Sequence, residues 1–173
     1  LLSVPEKGAS PIVALNPGAS HPVNRWPAHR FAELTDMLSE KQHAMVILIG
    51  GPADTALAEE IISHSRTKPL SLAGRTSIPQ LAALLQKCSV LVSGDTGPLH
   101  LATAVGTPAV ALFGAADPLR TGPVGAGHRI VQASGVSCVP CRSRTCSHSR
   151  PLACMKAITP IQVFEAITSI LDR

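Results

Sequence analysis

Short apolar stretches, many of them rich in β-branched residues, alternate along this chain with segments whose apolar residues have helical spacing. Continuous apolar stretches of this length are typical of parallel strands covered on both faces. The pattern therefore predicts strands and helices in alternation around a parallel sheet. The predicted strands lie in IVALN at 12–16, AMVILIG at 44–50, PLSLAG at 69–74, SVLVSG at 89–94, PAVALFG at 108–114 and HRIVQA at 128–133.

Apolar residues recur every three or four positions between these strands, which predicts helices that cover the sheet. Ser77 is placed to cap one of them, and Pro79 lies in its first turn. A final helix is predicted from Pro160 to Leu171, packed on the sheet through Ile161, Phe164, Ile167 and Leu171. The other helical patterns are carried by Phe31, Leu34, Met37 and Leu38; by Leu57, Ile61 and Ile62; and by Leu81, Leu84 and Leu85.

This order of elements predicts a fold of the α/β class, a Rossmann-like doubly wound parallel sheet. Right-handed crossovers place the carboxyl ends of all strands at one edge, where ligands bind. One domain is expected over residues 12–173. Residues 1–11 are polar, contain Pro and Gly and do not begin with Met, so they are expected to be a linker that follows a missing upstream part.

The loop after the fourth strand, Ser93 to Gly97, is the richest candidate site. Glycines let backbone N–H groups approach a ligand, and the start of the following helix carries unpaired donors and a partial positive charge, so the turn suits a phosphate. Thr96 adds a hydroxyl, and His100 projects from the first helical turn. Asp95 would repel phosphate, so it caps the helix, accepts from loop amides or contacts a sugar hydroxyl. The alternative is an ordinary capped turn.

Three further strand ends carry residues that suit the same ligand. Ser20 offers a hydroxyl after the first strand, and Arg25 offers a planar fork of donors that suits diphosphate oxygens. Gly50 admits a ligand at the end of the second strand, where Asp54 either accepts from a ribose hydroxyl or, as the favoured use, caps the next helix. The backbone at 74–77, with Gly74 and Ser77, is a candidate wall of a nucleobase slot.

Several motifs occur in a specific order and spacing: DTGPLHLA at 95–102, GTP at 106–108 and FGAADP at 113–118, with PGAS…RWP, GGPAD and LAGRTSIPQLAALL before them and a late Cys-Met…Ile…Pro pattern. Over nearly the whole chain they resemble the family 9 glycosyltransferases, the family of the bacterial heptosyltransferases. The resemblance implies a GT-B enzyme of two Rossmann-like halves that transfers heptose from an ADP-activated donor, without a metal cofactor, in building lipopolysaccharide. This chain resembles the second, donor-binding half, without the N-terminal acceptor-binding half and its general base.

The resemblance also implies roles for single residues. Asp95 and His100 would support catalysis at the donor sugar, and Ser20 would hydrogen-bond the diphosphate. Asn24 departs from the family pattern, because related members often have Lys directly before the Arg/His-Trp-Pro sequence. An Asn cannot neutralise phosphate charge, although Arg25 is adjacent. Together with the residues of the strand-end loops, the predicted donor-binding residues are Ser20, Asn24, Arg25, Gly50, Asp54, Gly74, Ser77, Asp95, Thr96, Gly97 and His100.

Four cysteines form a C-x2-C-x4-C-x7-C pattern late in the chain, with His148 among them. Closely spaced thiols are a candidate structural zinc site, and reduced thiols in a loop are the alternative. Disulfides are disfavoured in a cytoplasmic protein. The cysteines of the pattern are Cys138, Cys141, Cys146 and Cys154.

Composition narrows the function classes. Hydrophobic residues make up 45% of the chain and charged residues 15%, so most of it should fold. The net charge of +4 is scattered and aromatic residues are only 2%, which disfavours nucleic acid as a partner. No apolar stretch reaches the roughly 18 residues of a membrane span, and no signal peptide is recognisable. A cytoplasmic protein is expected, with at most peripheral membrane association through a lipid-linked acceptor.

Two alternative functions fit the same sequence. One is half of a nucleotide-sugar epimerase, which would need acid–base residues at the sugar, where only Asp95 and His100 qualify. The other is a stand-alone nucleotide-binding module without catalysis. An upstream Rossmann half in the complete gene would favour transfer over both, because transfer needs an acceptor site and a base.

Overall fold

The computed structural model describes residues 10–172, which form a six-stranded parallel sheet with helices on both faces. All six predicted strands are confirmed within the predicted stretches, whereas most of the predicted linker, residues 1–9, lies outside the described residues. The strands are β1 Ile12–Asn16, β2 Met45–Leu48, β3 Leu70–Ser71, β4 Val90–Gly94, β5 Ala109–Phe113 and β6 Arg129–Gln132. The helices are α1 Ala28–Gln42, α2 Thr55–His64, α3 Ile78–Lys87, α4 Gly97–Ala104, α5 Pro118–Thr121, α6 Ala153–Ala157 and α7 Pro160–Leu171.

The strand order is β3-β2-β1-β4-β5-β6, with every neighbouring pair parallel. The chain builds outward from β1 on one side, then returns to the other side with β4. This reversal leaves a crevice between the carboxyl ends of β1 and β4, which is where doubly wound folds bind ligands. The register there pairs Leu15 with Val92 and Asn16 with Ser93.

Two apolar cores cover the two faces of the sheet, because successive strand residues point to opposite sides. In β1, Val13 and Leu15 join the core under α1, α2 and α7, whereas Ile12 and Ala14 join the core under α3 and α4. Before α1, Trp26 is buried in the first core and its indole N–H donates to the Ile158 carbonyl over 3.0 Å. This bond ties the start of α1 to the start of α7.

The last helix packs on the sheet as predicted, but with a different face. Its buried residues are Pro160, Val163, Ile167 and Ile170, whereas Ile161 is 46% exposed. Phe164 and Leu171 are only partly buried. Proline in the first turn and a capping box formed by Thr159 and Gln162 fix where the helix begins, and the buried positions then follow at spacings of three or four.

No helix in residues 10–172 is both long and apolar enough to cross a membrane.

Candidate functional site

A buried hydrogen-bond network joins the carboxyl ends of β1 and β4. Asn16 Nδ2 donates to Ser93 Oγ over 3.0 Å, to Thr96 Oγ1 over 3.0 Å and to the Gly18 carbonyl over 3.2 Å. The hydroxyls of Ser93 and Thr96 are themselves 2.8 Å apart. Asn16 is 3% exposed and Ser93 is fully buried, so this network fixes both loops of the crevice from below.

Ser93 begins the loop that was predicted as a site, but no role of its own was predicted for it or for Asn16. The signal was present, since each is a polar residue at the end of an otherwise apolar strand. Buried polar side chains need hydrogen-bond partners, and the nearest unpaired groups at such a position belong to the neighbouring loops. A polar residue at the end of a buried strand, where the strand order reverses, is therefore expected to hold the neighbouring loops in place.

Close packing at two glycines holds the loops against each other. A Cβ on Gly94 would lie 2.8 Å from the backbone oxygen of Asn24, and a Cβ on Gly18 would overlap the carboxylate of Asp54. Asp54 is the N-cap residue of α2 but makes no side-chain bond to that helix, so the favoured capping use of Asp54 is not seen. Its Oδ2 instead accepts from the Gly51 N–H over 2.8 Å in the turn before α2. The loops after β1, β2 and β4 thus form one compact surface.

These loops enclose a cleft of about 410 Å³, called the donor cleft below. It brings together five of the predicted donor-binding residues, from three separate strand ends. Of these, Ser20, Arg25 and Gly97 are exposed and accessible to a ligand. The lining residues are Asn16, Gly18, Ala19, Ser20, Arg25, Gly51, Ala53, Asp54, Thr96, Gly97 and Pro98.

The start of α4 forms one wall of the donor cleft and has no side-chain cap. Thr96 occupies the N-cap position, but its hydroxyl is engaged with Asn16 and Ser93 instead of the helix amides. Apart from its chain neighbours and the backbone of its own helix, nothing in residues 10–172 lies within 4 Å of the position that a Cβ on Gly97 would take. Thr96 thus takes the N-cap position that the alternative of an ordinary capped turn requires, but without a side-chain bond to the helix. The helix start presents a partial positive charge to the cleft.

Asp95 and His100 lie together beside this helix start. Asp95 Oδ2 accepts from the Thr121 hydroxyl over 3.0 Å, and Asp95 Oδ1 lies 3.7 Å from His100 Nε2. The His100 side chain is 50% exposed and that of Asp95 only 19%. Asp95 does not cap α4 and does not line the donor cleft. Its carboxylate instead faces an adjoining cleft on the β5 side.

This second cleft has a volume of about 260 Å³ and is called the arginine cleft below. Asp117, which is 8% exposed, accepts from the Leu119 N–H and forms an ion pair of 2.6 Å with Arg142 Nη2. The lining residues are His21, Asn24, Asp95, Ala115, Ala116, Asp117, Arg120, Thr121, Arg142, Ser143 and Arg144. The arginines were not predicted as site residues.

Asn24 and Arg25 are adjacent in sequence but face different clefts. Arg25 lines the donor cleft, and its Nε and Nη2 donate to the Ala19 carbonyl over 3.0 and 2.9 Å. These bonds fix the guanidinium while leaving part of it accessible. Asn24 lines the arginine cleft, where its Oδ1 is buried without a hydrogen-bond partner among the described residues.

The remaining predicted residues lie at the ends of β2 and β3. Gly74 has a φ of +71° and a Cβ there would lie 3.1 Å from Pro52 Cα, so glycine is required for its close approach to the β2 loop. Its N–H donates to the Gly50 carbonyl over 2.9 Å. Ser77 caps α3 in a capping box with Gln80. Gly50, Gly74 and Ser77 are not among the lining residues of the two clefts, and their donor contacts stay predictions.

The four clustered cysteines and His148 border one cavity of about 20 Å³. Burial raises the pKa of the Cys154 thiol, and the nearby Cys138 and Cys141 add to this effect. Hydrogen bonds from backbone N–H groups, including a 3.3 Å bond from Leu152, lower the pKa of Cys146. Within residues 10–172, no three or more His, Cys, Asp or Glu side chains form a group that could hold a metal ion. The described arrangement therefore does not support the candidate zinc site.

Comparison with known proteins adds the family to this geometry. The family model Glycosyltransferase family 9 (heptosyltransferase) matches residues 4–151. Lipooligosaccharide heptosyltransferase 2 from Campylobacter jejuni serotype O:6 is 30% identical over 170 residues, which are 95% of this chain and 52% of that protein. This chain therefore spans about half the length of that relative.

Solved structures of two further proteins share the fold. A family 9 glycosyl transferase from Veillonella parvula has a TM-score of 0.80 at 27% identity, and the Escherichia coli ADP-heptose lps heptosyltransferase II has a TM-score of 0.79 at 28% identity. Each match covers 94% of this chain and 46% of the other. With the family model matching most of its residues, this chain belongs to glycosyltransferase family 9.

Proposed function

We propose that this chain is the donor-binding half of an inverting heptosyltransferase that uses ADP-heptose and a lipopolysaccharide-core acceptor. The observation that carries the proposal is the uncapped start of α4, held against the β1 loop by Asn16, Ser93 and Thr96 in a family 9 member. The names of its relatives, heptosyltransferases of lipooligosaccharide or lipopolysaccharide, support this donor and acceptor class.

The proposed reaction is displacement of a nucleoside diphosphate from the anomeric carbon by an acceptor hydroxyl. The bond from the anomeric carbon to the diphosphate oxygen breaks as the new glycosidic bond forms on the opposite face, and negative charge develops on the leaving diphosphate. Ser20, Arg25 and the α4 start line the donor cleft, where that charge would lie. Their role is electrostatic stabilisation that is already in place before the bond breaks.

Asp95 suits the sugar better than the phosphates in this proposal. Its carboxylate faces away from the donor cleft, is oriented by the Thr121 hydroxyl and has His100 beside it. A carboxylate so placed accepts hydrogen bonds from sugar hydroxyls and orients the anomeric carbon. The general base and the acceptor site are assigned to an N-terminal half of the same protein, which faces these clefts.

The relatives named above favour transfer over the two alternatives, the epimerase half and the binding-only module. We also assign the protein to the bacterial cytoplasm, at the inner face of the membrane, because a lipopolysaccharide-core acceptor is anchored to lipid. No nucleic-acid partner is assigned. A stand-alone binding module would bind the nucleotide equally well, so only transfer by the complete protein separates it from this proposal.

Donor choice is testable with the chain alone. We expect an ADP-sugar to raise its melting temperature more than the matching UDP-, GDP- or dTDP-sugars, because ligand that binds only the folded state stabilises it by mass action. At a concentration 100 times Kd the stabilisation is about 2.7 kcal/mol. Stabilisation by a UDP-, GDP- or dTDP-sugar above that by the ADP-sugar would contradict the assignment of ADP.

The transfer itself is proposed to need no metal ion, and the cysteine cluster to consist of free thiols. Cys138, Cys141 and Cys146 are exposed and Cys154 is buried, and the four do not form a metal-binding group. Elemental analysis of protein purified without chelator should therefore give much less than one zinc per chain. One equivalent of zinc that is lost in a Cys138→Ser, Cys141→Ser variant would show the opposite.

A further inference from the structure

The arginine cleft carries positive charge that the described residues do not neutralise. Arg142 is paired with Asp117 through Nε at 3.1 Å and Nη2 at 2.6 Å, so that guanidinium has its counterion. Arg120 and Arg144 line the same cleft, and neither has an acidic partner within 4.0 Å among residues 10–172. Both side chains are exposed and accessible to a ligand.

Asp95 is the one further carboxylate that lines this cleft, and it does not pair with the arginines. Its Oδ2 accepts from Thr121, one residue after Arg120 on α5, and its Oδ1 lies nearest to His100. Two unpaired guanidinium groups and one carboxylate leave the cleft with a net charge of about +1 when His21 is neutral. A planar guanidinium offers paired N–H donors that match the oxygens of a phosphate or carboxylate.

The position of the cleft indicates which part of a substrate reaches it. The donor cleft and the arginine cleft meet at two adjacent pairs of residues, Asn24 with Arg25 and Asp95 with Thr96, each pair contributing one residue to either cleft. A ligand that has its nucleotide in the donor cleft and its sugar at Asp95 therefore extends into the arginine cleft.

We propose that Arg120 and Arg144 form an anion subsite, on the sugar side of the donor cleft, for a phosphate or carboxylate group of the substrates. The group is either the outer phosphate of the nucleoside diphosphate, reached where the two clefts meet while the inner phosphate stays with Ser20, Arg25 and the start of α4, or a group of an acidic acceptor. The inference rests on the proposed function only in placing a nucleotide in the donor cleft. Arg142 is a positioning residue here, because its guanidinium is held by Asp117.

The test compares the variant Arg120→Gln, Arg144→Gln with the control Lys87→Gln, Arg150→Gln. The control removes the same charge from exposed positions that line neither cleft. ADP and AMP are titrated calorimetrically at constant ionic strength. Inorganic phosphate is then titrated into protein with saturating ADP, and separately into protein without nucleotide, while NMR follows the Nε–H resonances of the arginines.

If the outer phosphate of ADP occupies the subsite, the double variant weakens ADP binding by about tenfold or more and leaves AMP binding unchanged. If the subsite serves an acidic acceptor, ADP binding is unchanged, and saturable phosphate binding in the presence of ADP is lost. The control variant keeps both kinds of binding. Wild-type and double-variant protein that behave alike in every titration would overturn the proposal. Failure of wild-type protein to bind ADP would instead count against the proposed function, while phosphate titration without nucleotide still tests the arginines.

Discussion

Gly94→Ala is expected to destabilise the domain by about 1 to 3 kcal/mol, the usual cost of forcing an extra methyl group into packed structure. The new Cβ would lie 2.8 Å from the backbone oxygen of Asn24. A backbone atom cannot move aside as the end of a flexible side chain can. Relief requires the loop at 21–25 to move away from β4. We therefore also expect ADP affinity to fall by tenfold or more, roughly the effect of losing one hydrogen bond to a charged group.

Gly97→Ala is the matched control, three residues along the same loop. Its prospective Cβ has open space around it, with no described atom outside its own helix and chain neighbours within 4 Å, and the residue begins α4. Its stability should stay the same or rise by up to about 1 kcal/mol, because alanine favours a helix over glycine. The added methyl group would still enter the donor cleft and weaken ADP binding. Urea denaturation of both variants measures the difference, and equal stability of the two would contradict this account of the loop packing.

Asn16→Ala is expected to reduce stability by about 3 kcal/mol, within the roughly 1 to 3 kcal/mol assigned to each buried polar group left unpaired. The substitution removes the donor shared by Ser93, Thr96 and the Gly18 carbonyl. The two hydroxyls still bond to each other, which limits the loss. Both loops of the crevice would loosen, so ADP affinity should fall together with the free energy of unfolding.

Gln132→Ala provides the comparison for this variant. Gln132 also ends a strand of the same sheet, but β6 is an edge strand and the side chain is exposed. Its replacement should change the free energy of unfolding by no more than about 0.5 kcal/mol. If both variants unfolded at the same urea concentration, the proposed stabilising role of Asn16 between β1 and β4 would be contradicted.

The strands and fold class were predictable from sequence because buried parallel strands are continuous apolar stretches with few alternatives. The face of α7 was not predictable to the residue. Ile161 and Phe164 match helical spacing as well as Val163 and Ile170 do, and the contacts with the sheet decide between them. The strand order was not predicted from the sequence either, because it depends on the pairing of β1 with β4.

The sequence predicts those parts of the candidate site that depend on local chemistry. A glycine-rich turn at the start of a helix, with Thr96 and Gly97, indicates an anion site from a few consecutive residues. The network beneath it depends on contacts between residues about 80 positions apart, as in the bond from Asn16 to Thr96. Such contacts follow from strand pairing and have no signal in a single short stretch of sequence.

The arginine cleft was also not predictable from sequence, because its residues come together only through contacts between distant parts of the chain. Arg120 lies on α5, whereas Arg142 and Arg144 lie in the loop that contains the cysteines. Along the sequence these arginines belong to a scattered set of basic residues with no cluster. The return of the loop over the end of β5, where the Arg142 N–H donates to the Ala115 carbonyl over 2.8 Å, brings them to one cleft.

Calorimetric titration of this chain with ADP decides whether a nucleoside diphosphate binds at the start of α4. We expect a single saturable site, weaker binding of AMP because the outer phosphate is missing, and loss of affinity in Gly97→Ala without loss of stability. Absence of saturable ADP binding by the folded wild-type chain would contradict it. So would ADP binding that Gly97→Ala leaves unchanged, since the nucleotide would then lie away from the start of α4.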